Sequence, residues 1–175
     1  MVNVVVTGGA GFLGARLARE LLAAGSLDVV GGGAQPLSRL TVIDQAPVPP
    51  DLADLAADPR VTAIRGELAE LLDPDAVGVL AGAGLIFHLA AAVSAECEAD
   101  FDLGLRANLR GTEALLACGR GLGTRPVLVF ASSLAVFGSS GEHSLPRSST
   151  TTRCPIRRPA TAHIGCVVRG QVVLL

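Results

Sequence analysis

The segment Thr7-Gly8-Gly9-Ala10-Gly11-Phe12-Leu13-Gly14 carries the densest chemical signal in the chain. Gly9, Gly11 and Gly14 satisfy G-x-G-x-x-G, and Gly8, Gly11 and Gly14 give the related three-residue spacing. Glycine at these positions permits a tight turn and lets a pyrophosphate approach the backbone with no Cβ in the way. It also allows the following helix to pack closely on the preceding strand. The helix N-terminus then offers free N–H groups and a partial positive charge to the phosphates. Such a motif is weak by itself in a chain with 21 glycines. Its place, after the apolar run Val2–Val6 and before an amphipathic segment, makes it specific for a dinucleotide.

Asp44 ends the apolar run Leu40-Thr41-Val42-Ile43. A carboxylate there can accept both hydroxyls of an adenosine ribose and repels a 2′-phosphate, so NAD is expected rather than NADP. Asp44 lies farther from the glycine loop than the usual ~20 residues, and an insertion over Ser26–Ser38 accounts for the excess. A surface aspartate in a strand-to-loop turn would look the same. His88 stands in an apolar strand with no second histidine at ligand spacing, so no metal is expected and its contribution is read as backbone at a strand end. Cys97, Cys118, Cys154 and Cys166 share no C-x-x-C spacing, and nothing places a histidine beside Cys118 to activate it. Cys118 reads as a small core residue on a helix.

The elements that must position these residues alternate. Val2–Val6 reads as a buried parallel strand. Leu13, Leu17 and Leu21 recur on one face of a helix that Gly25 is placed to stop. A Gly/Pro loop over Ser26–Ser38 leads to a second strand at 40–43. A short helix over 51–57 and a third strand at 61–65 follow. Asp73-Pro74 has the order of a helix start. A fourth strand at 85–89, a helix over 106–120 and a fifth strand at 127–130 complete the series. This order predicts an α/β fold, a doubly wound parallel sheet of Rossmann type.

Composition narrows the classes. The 175 residues are half hydrophobic and 17% charged, enough for one folded domain. A net charge of −2 offers no overall attraction to nucleic acid or an anionic membrane. No apolar run reaches the ~20 residues of a membrane span, and the N-terminus lacks a basic signal-peptide region. Scattered, reduced thiols suit the cytoplasm. There is no Tyr, no Trp and no Lys, so all 14 basic residues are Arg. Residues 1–142 hold nine Arg against all 16 acids, a net of −7, while residues 143–175 hold five Arg and no acid.

Five segments, in order, resemble the extended short-chain dehydrogenase/reductase family, the NAD-dependent epimerase and dehydratase type. They are the glycine loop, Gly66-Glu67-Leu68, His88-Leu89-Ala90-Ala91, Asn108-Leu109-Arg110-Gly111-Thr112, and 129–138 with its Ser132-Ser133 pair. Within the family, 99–106 and 38–47 are most similar to the branch that oxidises four-carbon sugar acids. The resemblance implies cofactor contacts at Gly8, Gly11, Phe12, Leu13, Gly14, Asp44, Glu67, Leu68, Leu89, Ala90, Ala91 and Asn108. It implies a substrate-oxygen contact at Ser133, and a sugar acid or nucleotide sugar as substrate. It covers residues 2 to about 146, a truncated domain without the family's C-terminal substrate-binding part.

The family pairs its serine with a Tyr as acid/base and a Lys that lowers the Tyr pKa. The Y-x-x-x-K element should follow Ser133, and this chain has neither residue type. Arg147 to His163, written in G/C-rich codons with one base restored before Arg147, reads E-V-V-D-D-D-T-V-P-D-P-A-T-C-Y-G-A. That is an acidic turn followed by Tyr-Gly, as the family has here. Residues 1–146 are therefore expected to form the NAD-binding domain, and 147–175 an irregular basic tail that is not native-like. Three functions compete: a hydride-transfer enzyme, a non-catalytic NAD-binding protein, and another Rossmann user such as a methyltransferase. The H-L-A-A and S-S-x-A-V-F-G segments disfavour the last. The chain as written is expected to be inactive. Family members dimerise through the Asn108 helix and the helix bearing Y-x-x-x-K, so a monomer is expected here.

Overall fold

In the computed structural model, which describes residues 1–29, 33–72 and 77–132, the N-terminal apolar run forms β1 (Val2–Thr7). Its side chains alternate between two buried faces, Val4 and Val6 on one and Val5 on the other. A strand with helices on both sides must do this. The glycine turn then delivers the chain into α1 (Phe12–Ala24), which Gly25 ends in the left-handed conformation at φ 63°. The face that α1 buries is Gly14, Ala15, Ala18 and Leu21. The leucine stripe is thus only half right: Leu17 is partly buried, while Leu13 is 65% exposed. Small residues bring this helix close to the sheet, and Leu13 in its first turn points away.

The expected loop over Ser26–Ser38 is corrected by the structure. Ser26–Asp28 forms β2, which pairs antiparallel with the start of β3 (Ala34–Asp44) through Ser26–Pro36, Leu27–Gln35 and Asp28–Ala34. Leu37 is the partner of Val2, so Pro36 lies beyond the end of β1. Its missing N–H therefore costs no bond in the inner ladder. Ser26–Asp28 is three residues long with Leu27 as its one apolar side chain, too short for an alternating pattern to show, which is why the Gly/Pro-rich composition concealed it. The residues that lengthen the distance from the glycine loop to Asp44 are those of this hairpin.

Beyond β3 come a 3₁₀ turn (Pro50–Leu52), α2 (Ala53–Ala57), β4 (Val61–Arg65) and α3 (Leu68–Leu71). The helix start at Asp73-Pro74 lies outside the described residues; the next described element is a 3₁₀ turn, Val77–Leu80. After β5 (Ala83–His88), α4 (Ser94–Ala99) leads to a longer helical run than the one expected over 106–120. That run begins with α5 (Phe101–Gly104), where the Asp100 carboxylate caps by accepting from Leu103 N–H at 3.0 Å. It passes through a π-helical turn (Leu105–Arg110) into α6 (Gly111–Gly121). β6 (Val127–Phe130) ends the described sheet.

All pairings other than β2–β3 are parallel, in the order β4-β3-β1-β5-β6. The winding reverses between β1 and β5, where such a sheet opens a crevice at the carboxyl ends of its strands. The core has two layers. Val4, Val6, Leu40, Val42, Leu85 and Phe87 meet α1 and α2 on one face. Val5, Ile43 and Ile86 meet Leu68, Leu115 and Cys118 on the other. Ser133, the domain boundary at 146 and the tail 147–175 lie outside the described residues.

Candidate functional site

A cleft of about 340 Å³ opens at that reversal, between the glycine turn, the ends of β3 and β4, the segment after β5 and the start of the long helical run. Its closeness to the backbone explains the glycines. Gly8 has φ +70°, and a Cβ there would come within 2.7 Å of the Ala90 nitrogen. A Cβ on Gly14 would overlap the Gly8 carbonyl oxygen. Gly11 precedes the first turn of α1, and no side chain caps that helix. Its first N–H groups are therefore available to an anion.

Asp44 stands at the carboxyl end of β3. One carboxylate oxygen accepts from Ala10 N–H at 2.9 Å and the other from Ala46 N–H at 3.0 Å. The side chain is thereby aimed from the strand end back toward the glycine turn. Gln45, Gly66, Glu67, Leu68 and Ala69 continue this side of the cleft, and Leu103, Arg106 and Ala107 close it from the helical run. Arg106 is the only basic side chain among the lining residues. Its nearest described acid is Asp100, at 3.9 Å.

Leu89–Ala92 forms the floor. Beneath it the His88 side chain, 1% exposed, spans three elements. Nδ1 lies 2.7 Å from Thr7 Oγ1, Nε2 lies 2.9 Å from Thr112 Oγ1, and the ring tilts against Phe130 at 5.5 Å between centroids. Burial disfavours the charged imidazolium and pushes the His88 pKa down to about 4. His88 thus contributes its side chain to the interior, beyond the strand-end backbone expected of it. Both ring nitrogens are engaged by hydroxyls.

Of the residues singled out in the sequence, Gly8, Gly11, Asp44, Glu67, Leu68, Leu89, Ala90 and Ala91 line this one cleft. Phe12, Leu13, Gly14 and Asn108 do not. Phe12 and Leu13 are 83% and 65% exposed on the first turn of α1, and Gly14 is buried under the turn. Asn108 is buried, with both halves of its amide spent on Ala92: Oδ1 accepts from Ala92 N–H at 2.7 Å and Nδ2 donates to Ala92 O at 3.0 Å. Sequence reasoning missed Leu103, Arg106 and Ala107. Their i, i+3, i+4 spacing ahead of Asn108 is the signal that could have found them. It also missed the Thr7–His88–Thr112 cluster, whose members lie 81 and 24 residues apart in sequence and meet only in the packed fold.

The profile of the NAD dependent epimerase/dehydratase family matches residues 4–164. The chain is 46% identical to a D-erythronate dehydrogenase of Cupriavidus necator over 141 residues, which is 78% of this chain and 40% of that one. It is 34% identical to the D-erythronate dehydrogenase of Haemophilus influenzae, over 86% of this chain and 44% of the relative. A solved dTDP-glucose 4,6-dehydratase of Streptomyces venezuelae, with NAD and TYD bound, superposes with a TM-score of 0.74 at 28% identity. That match covers 94% of this chain and 49% of the dehydratase. The chain spans less than half the length of the curated relatives it matches.

Proposed function

The chain belongs to the NAD dependent epimerase/dehydratase family, and from that premise we propose that it is the NAD-binding part of a sugar-acid dehydrogenase of the D-erythronate dehydrogenase kind. The observation that carries the reading is the cleft itself, with the uncapped N-terminus of α1 beside it and the Asp44 carboxylate turned toward the same glycine turn. The residues fit a dinucleotide. A Cβ on Gly8 would strike the Ala90 backbone and one on Gly11 would press on the Gly8 carbonyl oxygen, so glycine at both keeps the turn tight against the floor, as a turn that cradles a pyrophosphate needs. Asp44 retains lone pairs for ribose hydroxyls, and Glu67 and Leu68 flank the adenine side. When bound, NAD supplies a hydride acceptor. The chain's own residues bind and orient it: the α1 N-terminus holds the phosphates, Asp44 selects the ribose, and Leu89–Ala91 form the trough wall. The similarity to D-erythronate dehydrogenases supports a sugar acid as the substrate of the whole enzyme.

Catalysis is a separate matter. Ser133 is the family's substrate-oxygen contact, but a serine hydroxyl cannot take the substrate proton without a base. The chain has no Tyr and no Lys, and Arg does not deprotonate near neutrality. Positioned acid/base catalysis is typically worth ~10²–10⁴-fold. This polypeptide is therefore expected to bind NAD and give no measurable turnover of D-erythronate. Turnover by the chain as written would overturn that expectation. A nucleotide-sugar epimerase or dehydratase is the second reading, favoured by the fold match to the dTDP-glucose 4,6-dehydratase. Activity of a full-length, frame-restored version on a nucleotide sugar and not on any sugar acid would select it. Calorimetry tests the binding reading: NAD should bind more tightly than NADP, and Asp44→Ala should narrow the difference. Equal affinities in the unaltered chain would count against Asp44 as the ribose acid.

A further inference from the structure

We propose that His88 is a positioning residue of the cleft, fixing the height of the Ala90–Ala92 floor through a closed circuit of buried hydrogen bonds. The proposal rests on the NAD-cleft reading for its functional consequence. Its hydrogen-bond logic rests on the geometry and on the burial that keeps the His88 ring uncharged. The Thr112 hydroxyl lies 2.6 Å from the Asn108 carbonyl oxygen, which can only accept. The single Thr112 proton therefore goes to Asn108, and Thr112 Oγ1 faces His88 Nε2 with lone pairs. Nε2 must carry the ring proton. The ring is neutral, so Nδ1 is an acceptor and receives the Thr7 hydroxyl proton. Thr7 Oγ1 is then free to accept from Ala90 N–H, at 3.3 Å. At the other end of the chain of bonds, the Asn108 amide holds both backbone groups of Ala92.

The path thus closes on itself, from Ala90 through Thr7, His88, Thr112 and Asn108 to Ala92. Three sequence-distant elements suspend a three-residue stretch of cleft wall at both of its ends. The four side chains are 0%, 1%, 2% and 7% exposed, so water does not substitute for a missing member. For stability alone, apolar side chains of similar shape would serve nearly as well, since a buried hydrogen bond replaces one made to water in the unfolded chain. What such a circuit adds is direction, because one arrangement satisfies every donor and acceptor. The floor has no slack to absorb a shift, since the space over Gly8 that a Cβ would need is already taken by the Ala90 backbone. Movement of Ala90 therefore reaches the phosphate turn directly.

The test compares Thr112→Val, which opens the circuit with little change in volume, with Thr112→Ser, which retains the hydroxyl. Leu115→Ala serves as a control for simple destabilisation; Leu115 is a buried core residue outside the cleft. NAD⁺ affinity is measured by calorimetry well below each unfolding transition. Thr112→Val is expected to weaken binding about tenfold, with Thr112→Ser restoring most of it and Leu115→Ala leaving it unchanged. Equal weakening by Thr112→Val and Leu115→Ala, or none by Thr112→Val, would overturn the positioning role. In the unaltered chain, ¹⁵N NMR should find His88 at pH 7 as the neutral Nε2–H tautomer. An Nδ1–H tautomer or an imidazolium would overturn the circuit even if the variants fail to fold. If the unaltered chain binds no NAD⁺, the cleft reading falls. The circuit is then judged by amide exchange at Ala90 and Ala92, which Thr112→Val should accelerate and Thr112→Ser should not; unchanged exchange would overturn it.

Discussion

Acidification should destabilise this fold through His88, from about pH 6.5 downward. An imidazole in the unfolded chain takes up a proton near pH 6.5, whereas burial holds the native His88 neutral down to about pH 4. Between those values the unfolded state binds more protons than the native state, so stability is fully present above pH 6.5 and drains away as the pH falls. Each pH unit crossed inside that window removes up to ~1.4 kcal/mol. The loss on going from pH 7.5 to pH 5 is therefore roughly 2 kcal/mol, approaching ~3 near pH 4. The side chain is 1% exposed, so solvent screening does not reduce the figure. Asp54 and Asp58, held below the usual carboxylate range first by hydrogen bonds from Arg19 and Arg60, stay ionised throughout this window. Urea unfolding followed by circular dichroism at pH 7.5, 6 and 5 reads the loss. The same series on His88→Asn cancels the contributions of His143 and His163. The variant will be less stable at every pH, but its stability should change by about 2 kcal/mol less across the range. Parallel pH dependences in the two proteins would refute the reasoning, as would a native His88 titration midpoint near 6.5 by NMR.

Two further substitutions probe the frame of the cleft. Gly14→Ala places a Cβ into the Gly8 carbonyl and within 2.6 Å of the Gly9 Cα. It should cost about 1–3 kcal/mol of stability and abolish measurable NAD binding by calorimetry, and near-normal affinity would contradict the close-approach account of that glycine. Leu40→Ala empties a fully buried site in the layer between β3 and α1. Its expected cost is ~2–5 kcal/mol in urea unfolding, and a loss below ~1 kcal/mol would mean that this layer is not packed as described.

Much of the frame was legible because its causes are local. The run Val2–Val6, the glycine turn and the α1 stop at Gly25 follow from apolar periodicity and from glycine's conformational freedom, and the structure places them within a residue or two of expectation. Asp44 was legible because a strand end is a fixed place relative to the turn beside it. Features that depend on pairing across the sheet were not. The β2–β3 hairpin looked like a loop, since nothing in Ser26–Asp28 announces that it will meet Ala34–Pro36. The burial of Ala15 and Ala18, with Leu13 left outside, was decided by how closely α1 settles on β1. The role of His88 needed the tertiary structure most of all. Alone in an apolar strand it reads as a bystander, because its two partners come from β1 and α6, and only the packed fold brings their hydroxyls to opposite sides of one ring. The residue types set which hydrogen bonds are possible; the parallel order of β1 and β5 and the seating of α6 decide which of them form.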